Sequence, residues 1–282
     1  MGFVMLVIVA IVILSFIANA VDSNKKKKKL EEEEERDRAE REERRKKAEE
    51  EKAAKLAELK ENFLKTLDET KYCEISVSSK PAKLGKVSDA DAFSYCSIAK
   101  NTKLERYADF VVIDTETTGL SPSSCEILEF SAMRIRDWVP VEIFTTLCST
   151  KNPIPDETIE INGITEEMVE GKPRFQSIAV AVRDFIGDDA IVGHNLEFDL
   201  KFLMKYGAEL STERKCYDTL KIARNTIEKG GLAGVTNYKL QTLCEHFGFT
   251  VFDAHRSLGD CYATAMLFNA LAQLRTGEKN DR

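Results

Sequence analysis

Apolar and polar positions divide the chain into four stretches with different periods. Residues 1–21 are almost entirely Val, Ile, Leu, Phe, Met and Ala, broken only by Gly2, Ser15 and Asn19. From Lys25 to Glu69 apolar residues are sparse and no heptad seam is sustained before Ala53. Tyr72 to Tyr107 mixes Ser, Lys, Pro81 and Gly85 with scattered apolar residues and reads as a linker, with one short element near Ala90–Ile98. From Ala108 onward, short apolar runs alternate with helical spacing. Val111-Val112-Ile113 reads as a buried strand that runs to a turn at Gly119. Glu126–Asp137 and Val141–Cys148 follow, set apart by turn residues at Ser121–Ser124 and Pro140, which predicts a three-stranded antiparallel meander. Pro153–Gly171 reads as short helical turns, Phe175–Ile186 as a helix and Ala190–Gly193 as a short buried strand. Further helices are expected over Glu197–Tyr206, Tyr217–Ile227, Lys239–Phe247 and Arg256–Leu274. Strands first, then strand and helix in alternation, predict an α/β domain built on a mixed sheet.

The first two stretches read together. Residues 1–21 are long enough as a helix to cross a bilayer. Ala18-Asn19-Ala20 has the small-x-small form of a signal-peptide cleavage site. No basic residue precedes the run, however, and Lys25–Lys29 follow it directly, which resists translocation of that flank. The expectation is an uncleaved, single-pass membrane anchor with the remainder facing the cytoplasm. Between Lys25 and Glu69 sixteen basic residues balance sixteen acidic ones. Glu31–Glu35 followed by Arg36, Arg38 and Arg41 offer pairs three and four residues apart, and Gly and Pro are absent. A solvated single helix is expected over a coiled coil, and about forty residues would span roughly 60 Å. A disordered charged linker is the alternative. The seven cysteines, Cys73, Cys96, Cys125, Cys148, Cys216, Cys244 and Cys261, are odd in number and lack C-x-x-C spacing. They read as reduced thiols of a cytosolic compartment.

Candidate chemistry enters where the first domain strand runs out. Asp114 and Glu116 stand two apart, so both side chains leave the same strand face. Two carboxylates that close repel unless a divalent cation lies between them. By itself a D-x-E string is equally an acidic turn. Asp199 opens a helix just after the Ala190–Gly193 strand and can face the same sheet edge. His255 and Asp260 straddle the start of the last helix. Four acids and a histidine from three segments have the chemistry of metal-assisted phosphodiester hydrolysis. The bland readings hold elsewhere. His194 reads as structural, His246 as core or surface, Asp253 as a helix-start residue, Phe198 as core, and Lys239 and Arg256 as solvated surface.

These residues carry a specific resemblance. Asp114-Thr115-Glu116-Thr117-Thr118-Gly119, then Gly193-His194-Asn195 with Phe198-Asp199, then His255-Arg256-Ser257-Leu258-Gly259-Asp260 resemble the three exonuclease motifs of the DEDDh family. That family includes the proofreading subunit of bacterial replicative polymerases, ribonuclease T and oligoribonuclease. The likeness runs from about Ala108 to Leu274, and Asn162-Gly163-Ile164-Thr165 and Tyr238-Lys239-Leu240-Gln241-Thr242-Leu243 resemble the proofreading branch. It implies a ribonuclease H-like mixed β-sheet flanked by helices, and a 3′–5′ exonuclease acting on nucleic acid with a free 3′ end. It further implies two Mg²⁺ or Mn²⁺ ions held by Asp114, Glu116, Asp199 and Asp260, with His255 as general base. Thr117, Thr118, Asn195 and Phe198 would touch substrate, and a DNA polymerase would be a partner. The membrane helix and charged rod depart from the soluble proofreading subunits.

The expected division is a transmembrane anchor at 1–21, a charged helical or coiled-coil-like stalk at 22–70, a linker at 71–107 and the exonuclease domain at 108–276. From Thr70 on, 25 basic residues face 31 acidic ones, a net of −6. That argues against a broad basic surface for long duplexes and favours a short single-stranded 3′ end; DNA is the favoured substrate, but not on the ground of charge. A membrane-tethered RNA exonuclease and a non-catalytic module recruiting nucleic acid or a polymerase are the alternatives; intact acids and His255 argue against the latter.

Overall fold

The computed structural model describes residues 25, 27–29, 33–44, 46, 47, 50, 51, 54, 57, 58, 61–66, 69–100, 102–228, 235–249 and 255–276. The anchor expected at residues 1–21, and Asp253, lie outside them. Among the described residues no helix is long and apolar enough to cross a membrane. Residues 33–44 are helical, and every described side chain from 25 to 58 is exposed, so no apolar seam of a coiled coil is present among them. Pairs one turn apart, Glu42 with Lys46 at 3.5 Å and Glu43 with Lys47 at 3.1 Å, contribute about 0.3–0.5 kcal/mol each.

From Lys60 on, the chain forms one compact unit. Among the described residues its sheet has six strands: β1 (Lys71–Tyr72), β2 (Phe110–Thr117), β3 (Ile127–Arg136), β4 (Val139–Leu147), β5 (Ile191–Gly193) and β6 (Cys216–Asp218). The order is β1-β4-β3-β2-β5-β6. β2, β3 and β4 form the antiparallel meander expected from the sequence, while β5 joins β2 and β6 joins β5 in parallel. The sheet is therefore mixed, as expected. β2 is the central strand, which is why Phe110–Ile113 is apolar at every position and fully buried.

Besides the helical residues 61–66, the described helices of this unit are α1 (Asp156–Asn162), α2 (Glu166–Val169), α3 (Phe175–Ile186), α4 (Leu196–Lys205), α5 (Thr219–Glu228), α6 (Leu240–His246) and α7 (Ser257–Thr276). α3 buries Phe175, Ile178, Ala179, Val182 and Phe185 along one face and stops at Gly187, whose φ of 56° a side chain would oppose. α7 is buried on nearly all sides over Leu267–Ala272, and it packs on β2, β3 and β5. At the start of β2, the end away from its acids, Phe110, Trp138, Tyr217 and Phe268 meet edge-on or tilted at centroid distances of 5.1–5.9 Å.

Two local readings differ from the sequence expectation. Tyr217, expected to open a helix, lies instead in β6, and the helix begins at Thr219. Three residues are too few to show a strand period, and the helical spacing of α5 ran over them. The stretch 71–107 carries an edge strand, 3₁₀ turns at Val87–Ala92 and Leu104–Tyr107, and the fully buried Ala90 and Ile98. It packs on the domain, yet its buried residues are too irregularly spaced to read as an element.

Candidate active site

Asp114 and Glu116 leave the same face at the end of β2, as the strand period requires. Asp260, one turn into α7, reaches them from above. Single oxygens from Asp114, Glu116 and Asp260 all lie within 4.8 Å of one another. Asp199, the fourth residue of α4, stands beside this trio. Of the charges acting on Asp114 its effect is the strongest, and its Oδ1 accepts a hydrogen bond from the Thr115 hydroxyl at 2.7 Å. Gly193 makes that approach feasible, because a Cβ there would sit 2.7 Å from Leu196 Cδ1. Asn195 then turns the chain into α4 with a φ of 63°, a left-handed conformation that Asn tolerates better than most residues.

The cluster is electrostatically frustrated. Burial, then the charges of Asp199 and Asp260, hold the Asp114 carboxyl well above the ordinary range. Burial, then Asp260, pushes Glu116 up to about 8, against a weak hydrogen bond from Asn162 Nδ2 at 3.5 Å. Burial raises Asp199 to about 7, opposed by the Thr115 hydroxyl, and raises Asp260 to about 6, opposed by the charge of His255. Carboxylates crowded this way accept a hard divalent cation readily, and an all-oxygen donor set suits Mg²⁺ or Mn²⁺. The residues fit such ions.

A pH effect follows. Each folded pKa lies above its unfolded value, so between about pH 4 and pH 8 the folded protein binds more protons than the unfolded chain. In chelator, melting temperature is expected to fall as pH rises from 5 to 8. Added Mg²⁺ should recover more of it at pH 8 than at pH 5, as read by thermal denaturation. A metal-free protein equally stable at both pH values would refute this.

His255 is exposed, with a φ of 65°, two residues before α7. With Asp260 and Asn195 it lines a cleft of about 780 Å³, whose far wall carries Arg224, Tyr238 and Lys239. His194 also reaches the cleft but is tied at both nitrogens, Nδ1 to the Thr219 hydroxyl at 2.9 Å and Nε2 to the Tyr238 carbonyl at 3.0 Å. The carbonyl can only accept, so Nε2 carries the proton, and burial lowers the pKa to about 4. A neutral imidazole held this way is structural, as the sequence suggested.

The other expected contacts divide. Thr117 Oγ1 donates to the Gly119 carbonyl at 2.7 Å, and Thr118 Oγ1 accepts from the Glu126 amide at 2.9 Å, so both hydroxyls brace the turn after β2. Phe198 packs on Phe202 at 5.0 Å, and His246 is exposed. Three buried acids, Glu126, Glu129 and Asp218, escaped the sequence reading. Asp218 accepts from the amides of Asn195, Leu220 and Lys221, tying α4 to the start of α5. Glu129 holds the start of α7. A lone acid inside the apolar run Ile127–Phe130 was the available signal for it.

A mixed sheet with carboxylates gathered at one strand end, and a histidine at the cleft beside them, offers a donor set that could hold divalent metal. Residues 111–268 match the family model described as Exonuclease. The chain belongs to that family and is a 3′–5′ exonuclease by class. It is 34% identical over 164 residues to the DNA polymerase III subunit epsilon of Aquifex aeolicus, covering 56% of this chain and 78% of that one. Its 36% identity to DNA polymerase III PolC-type of Thermotoga petrophila covers 57% of this chain and only 12% of that relative's length. The fold resembles E. coli exonuclease I in complex with a dT13 oligonucleotide, at a TM-score of 0.51 and 20% identity, covering 60% of this chain and 41% of that one.

Proposed function

We propose that this protein removes nucleotides from the 3′ end of single-stranded DNA, with Asp114, Glu116, Asp199 and Asp260 holding two Mg²⁺ or Mn²⁺ ions and His255 as general base. The observation that carries this reading is the meeting of Asp114, Glu116 and Asp260 within 4.8 Å, with Asp260 lining a cleft together with His255. What bound cations add is positive charge against the attacking and leaving oxygens. The protein residues do the rest. The carboxylates fix where the phosphate settles, and His255, exposed on the cleft wall, takes a proton from water. Asn195 lines the same cleft and meets the terminal nucleotide, with Phe198, Thr117 and Thr118 shaping its approach. The epsilon-type relatives support DNA as substrate and a polymerase as partner.

Labelled single-stranded DNA, duplex DNA and RNA, each offered to the full-length protein with Mg²⁺, separate the readings. Single-stranded DNA should be shortened fastest from its 3′ end. Faster loss of RNA, or release from the 5′ end, would overturn the assignment.

Residues 1–21 anchor the enzyme in the membrane and the catalytic domain faces the cytoplasm. The apolar run with Lys25–Lys29 after it supports this, as do seven free cysteines in the described domain. Replacing Lys25–Lys29 with neutral residues should weaken the orientation. The enzyme should sediment with membranes and resist protease added to intact spheroplasts. Digestion from outside, or release into the soluble fraction, would refute the topology.

A further inference from the structure

β3 grips the start of α7 at two positions directly opposite the site's own carboxylates. In the β2–β3 register Glu116 faces Glu129 and Asp114 faces Ser131. Glu129, 4% exposed, accepts from Arg256 Nη2 at 2.6 Å and Nε at 3.1 Å, and from the Ser257 amide at 2.9 Å. Ser131 Oγ lies 2.7 Å from Ser257 Oγ and 2.8 Å from Thr145 Oγ1. A buried carboxylate on an apolar strand is tolerated only when charge-assisted hydrogen bonds satisfy it, and a two-pronged guanidinium contact also fixes direction.

The residue just before this clamp is His255. Its left-handed backbone is strained for a side chain with a Cβ, and it relaxes unless neighbours hold it. His255 itself is exposed, so burial does not fix it; Arg256 and Ser257 are the next residues, and both are held by Glu129. We propose that Glu129 is a positioning residue whose clamp on Arg256 and Ser257 sets the orientation of His255 over the acidic cluster. This rests on His255 being the general base. A role confined to docking α7 would instead affect stability and every side chain of that helix alike.

The test compares wild type, Glu129→Gln, His255→Ala and the double variant, as full-length chains in detergent on single-stranded DNA. Outer partners that orient a catalytic group typically matter by about ten- to a hundred-fold. Glu129→Gln is expected to lower kcat by about that factor, leave KM within about twofold, and add nothing to His255→Ala. Mn²⁺ affinity, read by the electron paramagnetic resonance of the free ion, should match wild type. Equal losses from Glu129→Gln in both backgrounds, or wild-type kcat, would overturn the proposal. Should Glu129→Gln fail to fold, Arg256→Lys, which keeps the charge but loses the fork, goes through the same cycle. A slow His255→Ala beside a fast Glu129→Gln sinks the positioning role alone. A fast His255→Ala beside a slow Glu129→Gln sinks both it and the base assignment.

Discussion

Asp114→Ala or Asp260→Ala is expected to abolish 3′ nucleotide release while the fold persists. Both carboxylates contribute an oxygen to the cluster that spans 4.8 Å, so removing either takes away about a third of its donors and a full negative charge. The fold should survive because neither acid stabilises the metal-free protein. Burial raises both pKa values, joined at Asp114 by the charges of Asp199 and Asp260 and at Asp260 by that of Glu129, which marks each ionised carboxylate as unfavourable there. Metal-free variants should therefore melt at or above the wild-type temperature near pH 8, even as turnover vanishes. Excess chelator should silence the wild-type enzyme equally, and Mg²⁺ or Mn²⁺ should restore it. Turnover by either variant, or by wild type in chelator, would end the metal-dependent reading.

His255→Ala should cost about two to four orders of magnitude in rate, the usual contribution of a positioned base. Metal affinity should barely change, because the four carboxylates remain. His194→Ala tests the distinction between the two cleft histidines. Its imidazole is held by Thr219 and Tyr238, so its loss should disturb the packing of α5 against the cleft more than the proton-transfer step. A His255→Ala enzyme within a few-fold of wild type would leave bulk hydroxide or another group as the proton acceptor.

What could be read in the sequence was whatever a short-range period encodes. Asp114 and Glu116 were assignable to one face because a strand repeats every two residues, and α3 was assignable because its apolar residues recur every three or four. The meander was visible from turn residues between apolar runs. The relation among the acids was less visible. Asp199 was expected to share the site, but its hydrogen bond to Thr115, with a separation of 84 residues, is a fact of sheet order, not of spacing. Glu129 and Asp218 were hidden for the same reason, since their partners lie across the fold or around a turn that no motif spans. The hydroxyls of Thr117 and Thr118 sit beside the acids in sequence yet are spent on the turn itself.

The placement of α7 has a consequence for synthesis. The strand carrying Asp114 and Glu116 is made early, but Asp260 belongs to a helix whose buried side covers β2, β3 and β5. A chain halted before His255 possesses three of the four acids and lacks both the fourth and the histidine. It also leaves the apolar surface around Phe110 without Phe268 against it. A polypeptide without α7 thus lacks part of the acidic cluster and part of its core. Hydrolytic competence and completion of the core arrive together, with the docking of one helix.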